Sequence, residues 1–334
     1  MSPEKVIEIQ IKDLPPKLAE ETKVQRQHWF GLLLALLSGL VFTTNNVCFQ
    51  WLQLSHVHLL FLRGILQSFI CLFTALIKRQ KIWHGCTVTQ LIVILQGTAI
   101  GIILLCSYQS LHYLPLGDAM TLLFSSPLFT VILQLIVLRT RTRMYKIFWT
   151  IILLIGVIMV AKPQAIFGSS SLNANLDSTY YIGIAYALAA SLASAVQYIS
   201  IAKINTVETN VLMIYSGVCT TIISISVGWF QWKNNYILIS LPEIFGYTWI
   251  AILGLLATYS VTHSCKLADP STVSFVRSLE IIFAFLAQYA MGQTHIHGLS
   301  MAGASLIVVS VIAKPFEEQV TKCLFLPNQC QRFC

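Results

Sequence analysis

Charge is what this chain has least of: 10% of its 334 residues are Asp, Glu, Lys or Arg against 56% hydrophobic, and the mean hydropathy is +0.74. A water-soluble surface needs roughly a quarter of its residues charged, which excludes a soluble globular protein. Also missing are a glycine-rich phosphate loop ending in Lys-Ser/Thr, an H-E-x-x-H pair, a G-x-S-x-G elbow and any N-x-[ST] acceptor. The sequence therefore carries no signature of nucleotide hydrolysis, zinc proteolysis or serine hydrolysis. Nine cysteines, at 48, 71, 86, 106, 219, 265, 323, 330 and 334, show no paired spacing, and five of them fall in or directly beside apolar segments. They read as neither a disulfide framework nor a zinc site. His295 and His297 make a weak metal pair at best. The expectation is a protein that is no enzyme and needs no cofactor and no metal.

What the chain has in abundance is long apolar runs. They recur at 29–51, 56–77, 89–110, 114–138, 145–161, 180–202, 210–230, 246–264, 269–291 and 298–313. At about 20 residues per span these predict an all-α membrane protein with ten transmembrane helices, and no loop is long enough to hold a soluble catalytic domain. The net charge of +8 follows the membrane. Of 21 Lys and Arg residues, 17 fall in the two tails and the even-numbered loops, Lys162 and Lys233 lie on the opposite side, and Arg63 and Arg277 lie inside spans. Basic loops are retained in the cytoplasm, so both termini are expected there, and a nucleic-acid partner becomes unnecessary. Residues 1–28 read as a polar, flexible cytosolic tail. Residues 316–334 read as a second cytosolic tail whose Cys323, Cys330 and Cys334 are free thiols in preference to palmitoylation sites. The plasma membrane is favoured, with ER or Golgi as the alternative.

The chain also repeats itself. Shifted by 151 positions, residues 108–135 fall on 259–286 with eight identities in 28 pairs, among them Tyr108 with Tyr259, His112 with His263, and Asp118 with Asp269. LIGVIMVAKP (154–163) matches LIVVSVIAKP (306–315) at six of ten positions. Self-similarity of this kind marks a duplication. The units are a first five-helix repeat over 29–163, a linker loop over 164–179 and a second five-helix repeat over 180–315. Five is odd, so the second copy must enter the bilayer from the opposite face, giving inverted-topology repeats of the kind secondary transporters use.

The two repeats, the Tyr…Asp segments and the paired Lys-Pro endings resemble the drug/metabolite transporter superfamily with its EamA-type repeats. Within it, FLRG (61–64) and FVRSLEIIFAFLAQ (275–288) are similar to the G subfamily of the solute carrier 35 group. The resemblance implies an alternating-access carrier, and a relative in that subfamily is associated with citrate-like organic anions.

Intramembrane charge is costly, at about 2.5 kcal/mol or more at the bilayer centre, so Arg63, Arg277 and Glu280 demand a reason. Arg277 and Glu280 stand at i and i+3 and neutralise each other. Arg63 is left without an acidic partner inside the first eight spans, Asp118 and Asp269 sitting at helix edges, and the surplus positive charge suits an anionic solute whose carboxylates Arg63 and Arg277 are expected to bind through their guanidinium forks. Glu280 alternatively carries a coupling proton. Softer cavity candidates are Asn45, Gln197, Tyr198 and the repeat-related Tyr108 and Tyr259. Pro127 is expected to kink the fourth span, with neighbouring hydroxyls covering the freed carbonyl. Gly97 and Gly101 have the spacing of close helix packing.

The expected function is secondary transport of a small organic anion, with citrate or a similar di- or tricarboxylate leading. Alternatives are nucleotide-sugar exchange in Golgi or ER, and a membrane scaffold or regulator acting through the tails. The expected partners are the anionic solute and membrane lipid, with a coupling proton or counter-ion and a homodimer left open.

Overall fold

The computed structural model describes residues 16–52, 55–83, 87–114, 116–138, 144–161, 178–232, 241–290 and 298–325. Every regular element among them is an α-helix: α1 (Pro16–Leu52), α2 (His56–Ile77), α3 (Thr87–Tyr113), α4 (Leu116–Leu123), α5 (Ser126–Val137), α6 (Met144–Ala161), α7 (Ser178–Lys203), α8 (Thr209–Trp232), α9 (Leu241–Leu267), α10 (Pro270–Arg277), α11 (Glu280–Ala290) and α12 (Gly298–Phe325). Among the described residues eight stretches are long and apolar enough to cross a bilayer, and Ile147–Val160 and Met301–Ala313 are shorter apolar helices.

Three expectations need correction. Helix α1 begins at Pro16, not near residue 29, so part of the expected flexible tail is helical. The segment from Lys17 to Gln27 is rich in Lys, Glu, Gln and Ala, good helix formers that follow a proline at the first position. Helix α12 runs through Pro315 to Phe325. A proline inside a helix removes one backbone hydrogen bond, which weakens the helix without having to end it. The fourth and ninth apolar segments are each broken, into α4 with α5 and α10 with α11.

Packing runs between the halves. Helix α1 lies on α9 and α3 on α7; α2 lies on α8 and α6 on α12; α3 also meets α8, and α2 meets α9. Exchanging α1–α6 for α7–α12 maps this set of contacts onto itself. Large side chains such as Phe69, Phe73, Phe245 and Leu256 point outward, while Gln67, Gln96, Thr130, Ser216 and Thr262 are buried. That inside-out distribution suits lipid, where the driving force for burying an apolar side chain is absent and polar groups find partners between helices.

Two glycine contacts let the halves approach. A Cβ on Gly64 (α2) would stand 2.9 Å from the Gly217 carbonyl (α8), and one on Gly217 would stand 2.9 Å from the Gly64 carbonyl. Gly156 (α6) and Gly303 (α12) behave the same way, at 2.9 and 2.8 Å. Gly97 meets the Tyr215 carbonyl of α8 at 2.9 Å. The packing role expected for Gly97 and Gly101 is where the structure puts them, against α8. Trp29, Trp83 and Trp249 are exposed, whereas Trp149 packs against the core.

Candidate functional site

Both broken helices break at the centre of the molecule. In the first, the Ser125 amide reaches back only three residues to Leu122 O (3.2 Å), and Leu128 N reaches Ser125 O (3.0 Å). Pro127 opens α5 without an N–H to give, and the Ser125 hydroxyl donates to Leu122 O at 2.6 Å. The expected proline effect therefore becomes a full interruption. The second break has no proline. There Ser278 N bonds Phe275 O (3.0 Å) and Leu279 N bonds Val276 O (3.1 Å), while the Ser278 hydroxyl returns to Ser274 O (3.1 Å). Tight i to i+3 bonds of this kind end one helical segment and begin the next.

The interruption puts Arg277 on the last turn of α10 and Glu280 on the first turn of α11. A cation at a helix C-terminus and an anion at an N-terminus are each favoured by the helix dipole. Arg277 Nη2 donates to Glu280 Oε2 at 2.5 Å, and Asn46 Nδ2 lies 3.5 Å from Glu280 Oε1. The Arg277 guanidinium also sits 4.3 Å from the centroid of the Phe42 ring, a cation–π contact. Its Nε and Nη1 are buried without a hydrogen-bond partner among the described residues.

This pair borders a cavity of about 150 Å³ walled by α1, α3, α4, α5, α7, α9, α10 and α11. Each half contributes its first and third helices and its broken one. Polar groups from both halves reach it: Asn46, Ser107, Tyr108, Ser194, Gln197, Tyr198, Thr258 and Ser274.

Of the eight residues expected at the site, five border the cavity: Arg277, Glu280, Tyr108, Gln197 and Tyr198. Arg63, Asn45 and Tyr259 do not. Arg63 is 2% exposed, and its Nη2 donates to Gly254 O (2.8 Å) and Thr258 Oγ1 (2.6 Å), with the Tyr108 phenol nearby. It lies one side-chain layer behind the wall that Thr258 and Tyr108 form. Asn45 faces α9 and donates to Ile250 O at 2.9 Å. Tyr259 packs beside Cys71, Met213 and Leu255 and stacks with His263, so its repeat mate Tyr108 has the cavity position alone.

Phe42, Ser194 and Thr258 are cavity residues that the sequence reading passed over. Spacing holds the signal for two of them: Phe42 precedes Asn46 by one helical turn, and Ser194 precedes Gln197 and Tyr198 by three and four residues. Thr258 has no such marker.

Comparison with known proteins agrees with this architecture. Residues 29–162 match the EamA-like transporter family. Solute carrier family 35 member G1 of Mus musculus is 25% identical over 287 residues, covering 84% of this chain and 76% of that protein. The Homo sapiens protein of the same name is 23% identical over 84% of this chain and 77% of its own length. The pseudopaline exporter CntI of Pseudomonas aeruginosa is 23% identical over 85% of this chain and 95% of that exporter. One solved crystal structure superposes with a TM-score of 0.65 at 16% identity, over 84% of this chain and 95% of the other, a likeness of fold. The chain is a multi-pass membrane transporter. Residues 29–162 carry an EamA-like unit, and over most of its length the chain is similar to solute carrier family 35 member G1 and to the exporter CntI.

Proposed function

We propose that the chain is an alternating-access secondary transporter of a small organic anion, built from two inverted five-helix repeats with both termini in the cytoplasm. The solute's carboxylate binds Arg277. One observation carries this reading: Arg277 brings a guanidinium cation to the edge of the central cavity, and its Nε and Nη1 donors have no hydrogen-bond partner among the described residues. Glu280 and Phe42 hold the guanidinium in place while the site is empty. The contact pattern that survives exchange of the halves supports rocking of one half against the other around this site.

The size of the cavity narrows the passenger. About 150 Å³ is the volume that admits a benzene ring in an engineered cavity. A short-chain carboxylate suits it. Citrate, with three carboxylates, needs more room, and a nucleotide sugar with its base, two riboside-linked phosphates and hexose needs far more. Uptake of labelled short-chain carboxylates into proteoliposomes tests the reading. Wild-type protein is expected to accumulate label, and Arg277→Ala to lose at least about 90% of the rate, the effect of removing a charge-assisted pair of bonds. Wild-type rates in the Arg277→Ala variant would remove the assignment.

A further inference from the structure

We propose that the cavity is matched to a passenger bearing a single net negative charge, and that Arg63 sets that value through the wall without touching the passenger. This rests on the carrier reading above and specifies what it carries.

The argument is a census of charge. Among the described residues, the charged side chains that border the cavity are Arg277 and Glu280, and at 2.5 Å they cancel. Helix ends add no surplus, because each break sets the C-terminus of one segment against the N-terminus of the next, and the opposed half-charges offset. One charge is left over. Arg63 is 2% exposed and both of its hydrogen-bond acceptors are neutral, Gly254 O and Thr258 Oγ1, as is the nearby Tyr108 phenol. The Phe42 ring, 6.0 Å from its Cζ, is neutral too. Two of these groups, Thr258 and Tyr108, face the cavity on their other side.

A cation in this position is dry and unpaired, and its field falls on the cavity across one layer of side chains in a medium that screens weakly. The site as a whole is therefore +1. A monoanion brings it to neutrality, a neutral solute leaves the surplus, and a dianion overshoots it. Gly254 fixes Arg63 in the wall. A Cβ at position 254 would lie 2.6 Å from the guanidinium carbon, so only glycine leaves the space the group occupies. Arg63 acts here as a positioning and charge-setting residue, and Arg277 makes the contact.

Lactate and malate share a 2-hydroxycarboxylate head and differ by one carboxylate, and lactamide is a neutral analogue. Their dissociation constants are to be measured by calorimetry at neutral pH on the purified full chain. Wild type is expected to bind lactate more tightly than malate. Arg63→Gln, which keeps a donor in the wall and removes the charge, is expected to weaken lactate about tenfold or more while sparing lactamide. Glu280→Gln takes the site to +2 and is expected to shift preference toward malate, so the lactate-to-malate ratio moves in opposite directions in the two variants. Arg63→Lys retains the wild-type ratio. A purely structural Arg63 would weaken all three ligands together. That result, a wild type that prefers malate, or ratios unmoved by either substitution, overturns the proposal and leaves the carrier reading standing. Absence of binding by any carboxylate, with Arg277→Ala transporting normally, overturns both. Gel filtration checks that each variant folds; should Arg63→Gln not fold, Glu280→Gln and Arg63→Lys still decide the ratio.

Discussion

Asn45 and Asn46 are neighbours in sequence with different tasks. Asn45 ties α1 to α9 through the Ile250 carbonyl, and Asn46 leans over Glu280 at the cavity. Asn45→Ala is expected to cost about 1 kcal/mol of stability, the worth of one buried hydrogen bond, seen as a lower melting temperature with apparent KM unchanged. Asn46→Ala is expected to do the reverse, changing KM with little effect on melting. Gly254→Ala forces a methyl against the Arg63 guanidinium at 2.6 Å. It is expected to destabilise by about 1–3 kcal/mol, read from thermal melting, because helix backbone on one side and a pinned charge on the other leave little give. At this scale the sequence was half legible. Depth in the membrane follows from position along a helix, so Arg63, Arg277 and Glu280 stood out as costly charges. Azimuth does not, and the groups that turn Arg63 into the wall, Gly254 and Thr258, lie 191 and 195 residues away.

The two broken helices set the limit of reading at the scale of elements. Pro127 announced the first break, since a missing N–H is visible in any sequence. Nothing announced the second: Ser278 and Leu279 are ordinary residues, and the interruption arises from three-residue amide bonds and serine hydroxyls that compete for helix carbonyls. Pro127→Ala restores a donor toward the Leu123 carbonyl and is expected to favour a continuous helix across 124–125. Hydrogen exchange at those amides should slow, and turnover should fall several-fold as Leu123, Phe124 and Ser126 leave the cavity edge. The early start of α1 and the passage of α12 through Pro315 were missed for a related reason. Apolar runs mark where a helix meets lipid, and a helix that continues into polar sequence has no such mark at its end.

For the molecule as a whole, the self-similarity of the sequence points to two related halves and says little of how they differ. Gln134 Nε2 donates to Asp269 Oδ1 at 2.7 Å, joining α5 of the first half to the start of α10 in the second. At the repeat offset of 151 the corresponding residues are Phe285 and Asp118, and a phenylalanine has no such bond to offer. This particular tie therefore has no counterpart at residue 285. Gln134→Leu is expected to open the tied face more often, measured as faster thiol labelling of a cysteine placed at Ser194, with labelling from the opposite face slowed. The glycine contacts bear on what such opening requires. At Gly64 with Gly217 and at Gly156 with Gly303, an added Cβ would meet the facing main chain and also a facing side chain, that of Thr221, Ser68, Ile307 or Met159. Seams that tight have no slack to give up, so a tilt of one half on the other has to pivot close to these four positions, and a single methyl there would act as a wedge.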